Sequence, residues 1–103
     1  MKYFLIKYRL TNGTAEDWHA HIARFIAALN EDPELKGRIS YRCMKERQGC
    51  AYIHLASASD DAAIAALQRK DFFRPYTDET RRVAGGEVEV VPLEIIAETT
   101  SAA

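Results

Sequence analysis

The stretch MKYFLIKYRL, residues 1–10, predicts a β-strand that is apolar or aromatic on both faces near its start. Its two-residue period assigns Phe4, Ile6, Tyr8 and Leu10 to one face, and Tyr3, Leu5, Lys7 and Arg9 to the other. Because apolar residues alternate with charged ones and no small-residue cleavage site follows, we expect a strand and no signal peptide.

Two later segments have apolar residues at helical spacing. Thr14 is the predicted cap of the first, whose stripe ends ahead of Pro33 and consists of Trp18, Ile22, Phe25, Ile26 and Leu29. Ser59 or Asp60 caps the second helix. Pro75 is expected to interrupt that helix, leaving a last helical turn or two over residues 77–84.

Residues 38–46 and 50–57 also alternate, and a hairpin turn at 47–49 is predicted to join them. With a last strand over 87–97, the order becomes β-α-β-β-α-β. Right-handed crossovers turn this order into a four-stranded antiparallel sheet with both helices on one face, a ferredoxin-like α+β fold. We expect one domain over residues 1–98 and a flexible tail over 99–103.

The last strand, EVEVVPLEIIA, is apolar on both faces as well, although two helices cover only one side of such a sheet. One face carries Val91, Leu93 and Ile95, and the other carries Val88, Val90 and Ile96. Each such side chain left in water would forgo roughly 1.5–3 kcal/mol, which a second copy of the sheet would recover. We therefore expect a homodimer through the open sheet face, an α+β barrel. Scattered surface hydrophobes are the alternative.

Composition excludes several classes of protein. A chain of 103 residues with a net charge of −1 lacks the positive field of a nucleic-acid surface, and it has no apolar run as long as a membrane span. Two cysteines, Cys43 and Cys50, are too few for a disulfide framework and indicate a reducing cytoplasm. His19 and His21 point to different sides of a helix and cannot share a metal, so we expect no metal site.

The length, the element order, the entry from Pro33 to Gly37 into the second strand, and Gly85-Gly86 before a Val-rich last strand resemble the dimeric α+β barrel superfamily. Within it, the chain looks most like the antibiotic biosynthesis monooxygenase-type domains, whose second-helix elbow is similar to DFFRPY, residues 71–76. The resemblance covers nearly all of residues 1–98. It implies this fold, a homodimer and small-molecule oxidation without a cofactor.

The chain departs from the family pattern at two landmarks. Many members carry a Trp just before the second-helix cap, where this chain has ASAS at 56–59, and a His in the elbow, where it has RPY at 74–76. Members similar to the haem-degrading branch carry an Asn, a Trp and a His on the first strand and the second helix. In this chain the single Trp, Trp18, belongs to the first helix. The resemblance therefore favours oxidation over haem degradation.

His54 is the candidate catalytic residue. It lies mid-strand on the same face as Tyr52 and, if the hairpin closes around residues 48–49, opposite Cys43. A histidine with a pKa near neutrality could take a proton from a phenol-like substrate. The alternative is a core-edge imidazole that is hydrogen-bonded to a tyrosine or to the backbone.

Aromatic side chains predict the substrate pocket, which in this fold can open between the helices and the sheet. The expected substrate-binding residues are Tyr8, Tyr52, Phe72, Tyr76 and His21. Phenols and aromatic walls suit a flat, hydrophobic substrate. The alternative is that these aromatics fill the core and the dimer interface.

Two functions follow from this sequence. The first is a cofactor-independent monooxygenase-like enzyme, in which the substrate reacts with oxygen as an anion that the protein stabilises and shields from water. The second is a non-catalytic dimer of the same fold that binds a small hydrophobic ligand or serves as a stress or regulatory accessory. The two differ in whether His54 acts as a base.

Overall fold

The computed structural model describes residues 1–100, which form four strands and three helices in the order β-α-β-β-α-α-β. The elements are β1 (Lys2–Arg9), α1 (Ala15–Glu31), β2 (Ile39–Lys45), β3 (Ala51–Ala58), α2 (Asp61–Gln68), α3 (Phe73–Val83) and β4 (Glu89–Leu93). The strands pair antiparallel in the order β2-β3-β1-β4. The predicted ferredoxin-like α+β fold is confirmed. Most of the predicted tail, residues 101–103, lies outside the described residues.

Helix α1 follows its predicted cap and stripe. The Thr14 hydroxyl accepts the backbone N–H of Asp17 at 3.2 Å, which satisfies a donor of the first turn. The buried side chains of the helix are Trp18, Ile22, Phe25 and Leu29, so the apolar stripe packs on the sheet. No helix within residues 1–100 is long and apolar enough to cross a membrane.

The prediction that Pro75 interrupts the second helix is wrong. Helix α2 already ends at Gln68, and Pro75 lies in the first turn of a separate helix, α3. A proline is tolerated there because the first backbone N–H groups of a helix have no intrahelical acceptor. Strand β4 is also shorter than predicted. It includes Pro92, which an edge strand accepts because one side of its backbone has no neighbouring strand.

The register of β3 determines what surrounds His54. His54 lies opposite Ile6 on β1 and opposite Cys43 on β2, as the hairpin prediction required. Because side chains alternate, Tyr8 and Tyr41 share this face, each two residues along its strand from the direct partner of His54. Diagonal neighbours of this kind are within reach of long aromatic side chains. Three strands thus bring their polar aromatic groups together under the helices.

The opposite face of the sheet remains open and apolar. Ile53 and Leu55 of β3 are 38% and 37% exposed, and Met44 and Leu93 are each 42% exposed. Leu55 lies opposite Leu5, and Ile53 lies opposite Met44, so the apolar side chains are contiguous across the strands. A contiguous apolar surface of this kind is typical of an interface.

The turn after α3 holds Gly85 against the start of the first loop. Gly85 has a φ of +68°, and a Cβ added to it would lie 2.7 Å from Oγ1 of Thr11. That hydroxyl donates to the Val83 carbonyl at 3.1 Å, which limits its freedom to move away. Gly86 has a φ of +90° but nothing within 4 Å of an added Cβ.

We expect Gly85→Ala to lower the free energy of unfolding by about 1–3 kcal/mol more than Gly86→Ala does. Both substitutions place alanine in the left-handed region, but only the first forces it against Thr11. Urea denaturation of the two variants measures the difference. Equal losses of stability would show that the contact with Thr11 does not restrict this position.

Candidate active site

A cavity of about 340 Å³ lies between the sheet and the helices α2 and α3. Its volume lies in the range of small-molecule pockets. Most of its lining is apolar, including Phe4, Ile6, Phe25, Ile39, Ile64, Leu67, Phe73, Val88 and Val90. The tyrosines of the lining are Tyr41 and Tyr76. The cavity therefore suits a hydrophobic ligand that is oriented by a few polar contacts.

A chain of hydrogen bonds connects α1 to this cavity by way of side chains on the helix-covered face of the sheet. Nε1–H of Trp18 donates to the Tyr8 hydroxyl at 2.7 Å, and that hydroxyl lies 2.8 Å from Nε2 of His54. On the other side of the imidazole, Nδ1 lies 2.6 Å from the Tyr41 hydroxyl. The hydroxyls of Tyr41 and Tyr76 are 3.2 Å apart. His54 itself is 0% exposed, so it is linked to the cavity through the two tyrosines.

The indole of Trp18 determines the direction of the first hydrogen bonds. An indole N–H can only donate, so the Tyr8 oxygen is an acceptor there and directs its own proton to Nε2 of His54. Either direction leaves one O–H of the chain over. The opposite arrangement would leave over the O–H of Tyr8, which is 5% exposed and outside the cavity lining, at a cost of about 1–3 kcal/mol, whereas this one leaves over the O–H of Tyr76, a residue of the lining. We therefore infer that His54 is the neutral tautomer with its proton on Nδ1, which donates to the Tyr41 hydroxyl.

Burial keeps every group of this chain uncharged. Desolvation lowers the pKa of His54 to about 4 and raises the pKa of the Cys43 thiol to about 11. It also raises the pKa of Tyr8, Tyr41 and Tyr76 well above the usual range of a phenol. The expected near-neutral pKa of His54 is thus not found, because an imidazolium here would lose its hydration and face two neutral phenols.

The structure separates the predicted binding residues. Tyr76 lines the cavity. Tyr8 does not, because it contacts the side of His54 that faces away from Tyr41 and the cavity. Tyr52 stacks on Tyr8 with ring centroids 5.2 Å apart, and its hydroxyl lies 2.7 Å from Nε2 of His19 in a different, smaller pocket. Within the described residues, no group of three or more His, Cys, Asp or Glu could hold a metal ion.

Phe72 and His21 lie apart from the cavity lining as well. Phe72 packs edge-on against Phe25 with ring centroids 6.0 Å apart, and its neighbour Phe73 lines the cavity instead. Nε2 of His21 lies 3.9 Å from a carboxylate oxygen of Glu79, in a polar cleft between α1 and α3. The predicted roles of both residues in substrate binding stay predictions.

Tyr41 and Trp18 belong to this site but were not among the expected catalytic and substrate-binding residues. The signal for Tyr41 was present, since the alternation that places Cys43 opposite His54 also places Tyr41 on the same face. Trp18 was recognised as part of a buried stripe. A buried indole N–H needs an acceptor, and the sequence does not identify the Tyr8 oxygen as that acceptor.

Comparisons with known proteins establish the fold. No family model and no curated protein matches the chain. Among solved structures, SnoaB, a cofactor-independent oxygenase from Streptomyces nogalater, aligns over 97% of both chains with a TM-score of 0.76 and 17% identity. Rv0793 from Mycobacterium tuberculosis aligns over 96% of this chain and 98% of its own, with a TM-score of 0.75 and 11% identity.

A structure described as an antibiotic biosynthesis monooxygenase aligns over 94% of this chain and 100% of its own, with a TM-score of 0.66 and 10% identity. At these identities the likeness establishes the fold and leaves the activity to be argued from the site. The resemblance expected from the sequence is confirmed at this level. The chain has the fold of the antibiotic biosynthesis monooxygenase-type domains.

The low pKa of His54 predicts a loss of stability in acid. In the unfolded chain His54 binds a proton below its ordinary pKa of about 6.5, whereas in the native state it does so only near pH 4. The neutral His54 therefore contributes to the free energy of unfolding in full above pH ~6.5. This contribution, on the order of 3 kcal/mol, is lost as the pH falls toward about 4.

Urea denaturation between pH 7 and pH 4.5 measures this loss. His54→Gln should flatten the acid limb, because glutamine removes the imidazole whose pKa burial lowers. An acid limb of His54→Gln as steep as that of the parent protein would contradict the assignment.

Proposed function

We propose that this protein is a cofactor-independent monooxygenase-like enzyme that oxidises a hydrophobic, aromatic small molecule. The observation that carries the proposal is the apolar cavity with paired tyrosine hydroxyls, Tyr41 and Tyr76, 3.2 Å apart. Its support is that SnoaB, a cofactor-independent oxygenase, has the same fold over 97% of its chain. We place the activity in the cytoplasm, where the free thiols of Cys43 and Cys50 would stay reduced.

In the proposed reaction, a hydroxylated aromatic substrate loses a proton and its anion transfers electrons to O₂. A carbon–oxygen bond forms and the oxygen–oxygen bond then breaks, so that a ring CH₂ becomes C=O and the second oxygen atom leaves as water. The protein orients the substrate and keeps bulk water away from the anion. The apolar lining and the two tyrosines of the cavity supply these two contributions.

His54 enters this proposal as a positioning residue for Tyr41. Both of its ring nitrogens are occupied by tyrosine hydroxyls, and a pKa of about 4 makes it a weak base. Among the described residues that line the cavity there is no His, Asp, Glu or Lys. The substrate therefore has to be acidic enough to lose its proton to solvent before the cavity takes it up. The initial hypothesis of direct proton transfer to His54 would require a relay through Tyr41.

The absence of such a base among the described lining residues favours a second candidate function, a non-catalytic dimer that binds a small hydrophobic ligand. The cavity would then hold the ligand through its apolar walls and Tyr76, with no reaction. Oxygen consumption separates the two functions, because ligand binding alone consumes no O₂.

We expect the protein to convert a hydroxylated anthrone-type substrate under ¹⁸O₂ into a product with one ¹⁸O atom, as measured by mass spectrometry. Tyr76→Phe should lower kcat/KM by roughly 10–100-fold, because it removes a hydroxyl that contacts the substrate oxygen. Tyr3→Phe is the matched control, because Tyr3 lies on the open face of the sheet, away from the cavity. It should keep the parent rate. A panel of such substrates that bind without consuming O₂ would exclude the enzyme and support the second function.

We further propose a homodimer through the open sheet face. The exposed apolar side chains of β2, β3 and β4 supply the support, since a second copy would remove them from water. A two-fold arrangement needs one self-complementary surface, and Leu55 lies within this apolar face.

Leu55→Glu should therefore convert a particle of twice 11.6 kDa into a folded or partly unfolded protomer of 11.6 kDa. The introduced carboxylate would be buried without a partner in the dimer. Ala27→Glu, on the exposed side of α1, is the matched control and should stay dimeric. Sedimentation equilibrium at micromolar concentration measures the mass. A parent protein that sediments as a folded 11.6 kDa particle would refute the dimer.

A further inference from the structure

We propose that the hydrogen-bonded chain from Trp18 to Tyr76 makes the cavity selective for ligands that present an acceptor oxygen, a carbonyl or a phenolate. A ligand of the same shape without that oxygen binds more weakly. The inference rests on the proposed function and deepens it, because it names the chemistry of the ligand that the same cavity takes.

The direction of the chain carries the first step. Since the proton of His54 is on Nδ1, the Tyr41 oxygen accepts from the imidazole and donates its own proton onward. The next oxygen along the chain is the Tyr76 hydroxyl, 3.2 Å away. The Tyr76 oxygen thus already accepts a hydrogen bond, and its own proton is the one that the chain leaves over.

The leftover proton has only a weak acceptor nearby among the described residues. The Cys43 thiol lies close enough for the Tyr76 hydroxyl to lower its pKa slightly, against the larger effect of burial. A thiol sulfur is a poor hydrogen-bond acceptor. An oxygen of a ligand in the cavity is a better one, so binding of such a ligand gains a hydrogen bond that an all-carbon ligand does not make.

Packing holds the Tyr76 ring in place for this contact. The ring stacks on Phe25 with centroids 3.8 Å apart and planes at 2°, and on Trp18 with centroids 5.6 Å apart and planes at 15°. Because the ring is clamped between two other aromatic groups, the hydroxyl needs little ordering when the ligand arrives. The chain that polarises Tyr76 and the stack that fixes it both include Trp18.

Two other polar groups of the lining, those of Thr80 and Arg81, are less suited to this role. The Thr80 hydroxyl donates to the backbone carbonyl of Tyr76 at 2.8 Å, so its proton is already used. The Arg81 side chain is 65% exposed and lies 3.7 Å from a carboxylate oxygen of Asp78. Arg81 could still attract an anionic ligand through its charge, and the experiment includes a variant that separates its effect from that of Tyr76.

The probes are 9-fluorenone and fluorene, two flat three-ring molecules that differ in a carbonyl against a CH₂. Dissociation constants are measured for both by fluorescence titration. We expect fluorenone to bind roughly three- to tenfold tighter, the gain from one net hydrogen bond. The C=O stretching frequency of bound fluorenone should lie below its value in an aprotic solvent, as hydrogen bonding to the carbonyl requires.

Tyr76→Phe should reduce the affinity ratio of the two probes to about one while leaving fluorene binding unchanged, because the ring and its stacking remain. Tyr3→Phe and Arg81→Gln should keep the parent ratio. The proposal is overturned if fluorenone does not bind, if Tyr76→Phe keeps the preference, or if Arg81→Gln abolishes it.

These results are independent of the proposed oxidation, since fluorenone has no CH₂ to convert and its binding needs no O₂. A fluorenone preference that depends on Tyr76, in a protein that consumes no O₂, supports this inference and refutes the enzyme. If the protein oxidises a substrate but Tyr76→Phe leaves the affinity ratio of the two probes unchanged, the enzyme is supported and this inference is refuted.

Discussion

The burial of His54 between two tyrosine hydroxyls is the constraint on which the rest of this structure depends. An imidazole that is 0% exposed must be neutral and must find one donor and one acceptor within the protein. Tyr8 and Tyr41 meet this requirement from the two neighbouring strands. Replacing His54 with an apolar residue would leave two phenols to be satisfied, so these three residues hold their strands together as a polar unit.

This unit also connects the sheet with its helices. Trp18 reaches it from α1 through the Tyr8 oxygen, and Tyr76 reaches it from α3 through the Tyr41 hydroxyl. The stack of Trp18, Tyr76 and Phe25 adds apolar contact to the same place. Every proton of this network except that of Tyr76 has an acceptor within it, and networks of this kind rigidify a core where their members are satisfied. Consequently the cavity has one well-fixed polar wall, and the remainder of its lining is apolar and adjustable.

Much of the fold could be predicted from the sequence because each local pattern agreed with the final arrangement. Alternation in two strands was enough to place Cys43 opposite His54, and the helical spacing of apolar residues was enough to identify the buried side of α1. The prediction for the second helical region was wrong because a proline in a first helical turn and a proline that breaks a helix look the same in sequence. Only the early end of α2 at Gln68 distinguishes them.

The site was less predictable, for a physical reason. The pKa of a histidine depends on its hydration, and hydration depends on side chains that are distant in sequence, 46 residues away for Tyr8. The sequence identified His54 and Tyr76 as residues of interest, but it could not show that they belong to one chain of hydrogen bonds with Tyr41 between them. It also could not show that this chain has a direction, which follows from the contact between Trp18 and Tyr8.

The most direct measurement of this account is the protonation state of His54 by long-range ¹H–¹⁵N NMR of the imidazole ring, recorded from pH 8 to pH 5. The account predicts one neutral form with the proton on Nδ1 across the whole range. A ring that carries its proton on Nε2, or one that gains a second proton near pH 6.5, would contradict the direction of the chain and the neutrality of the buried unit.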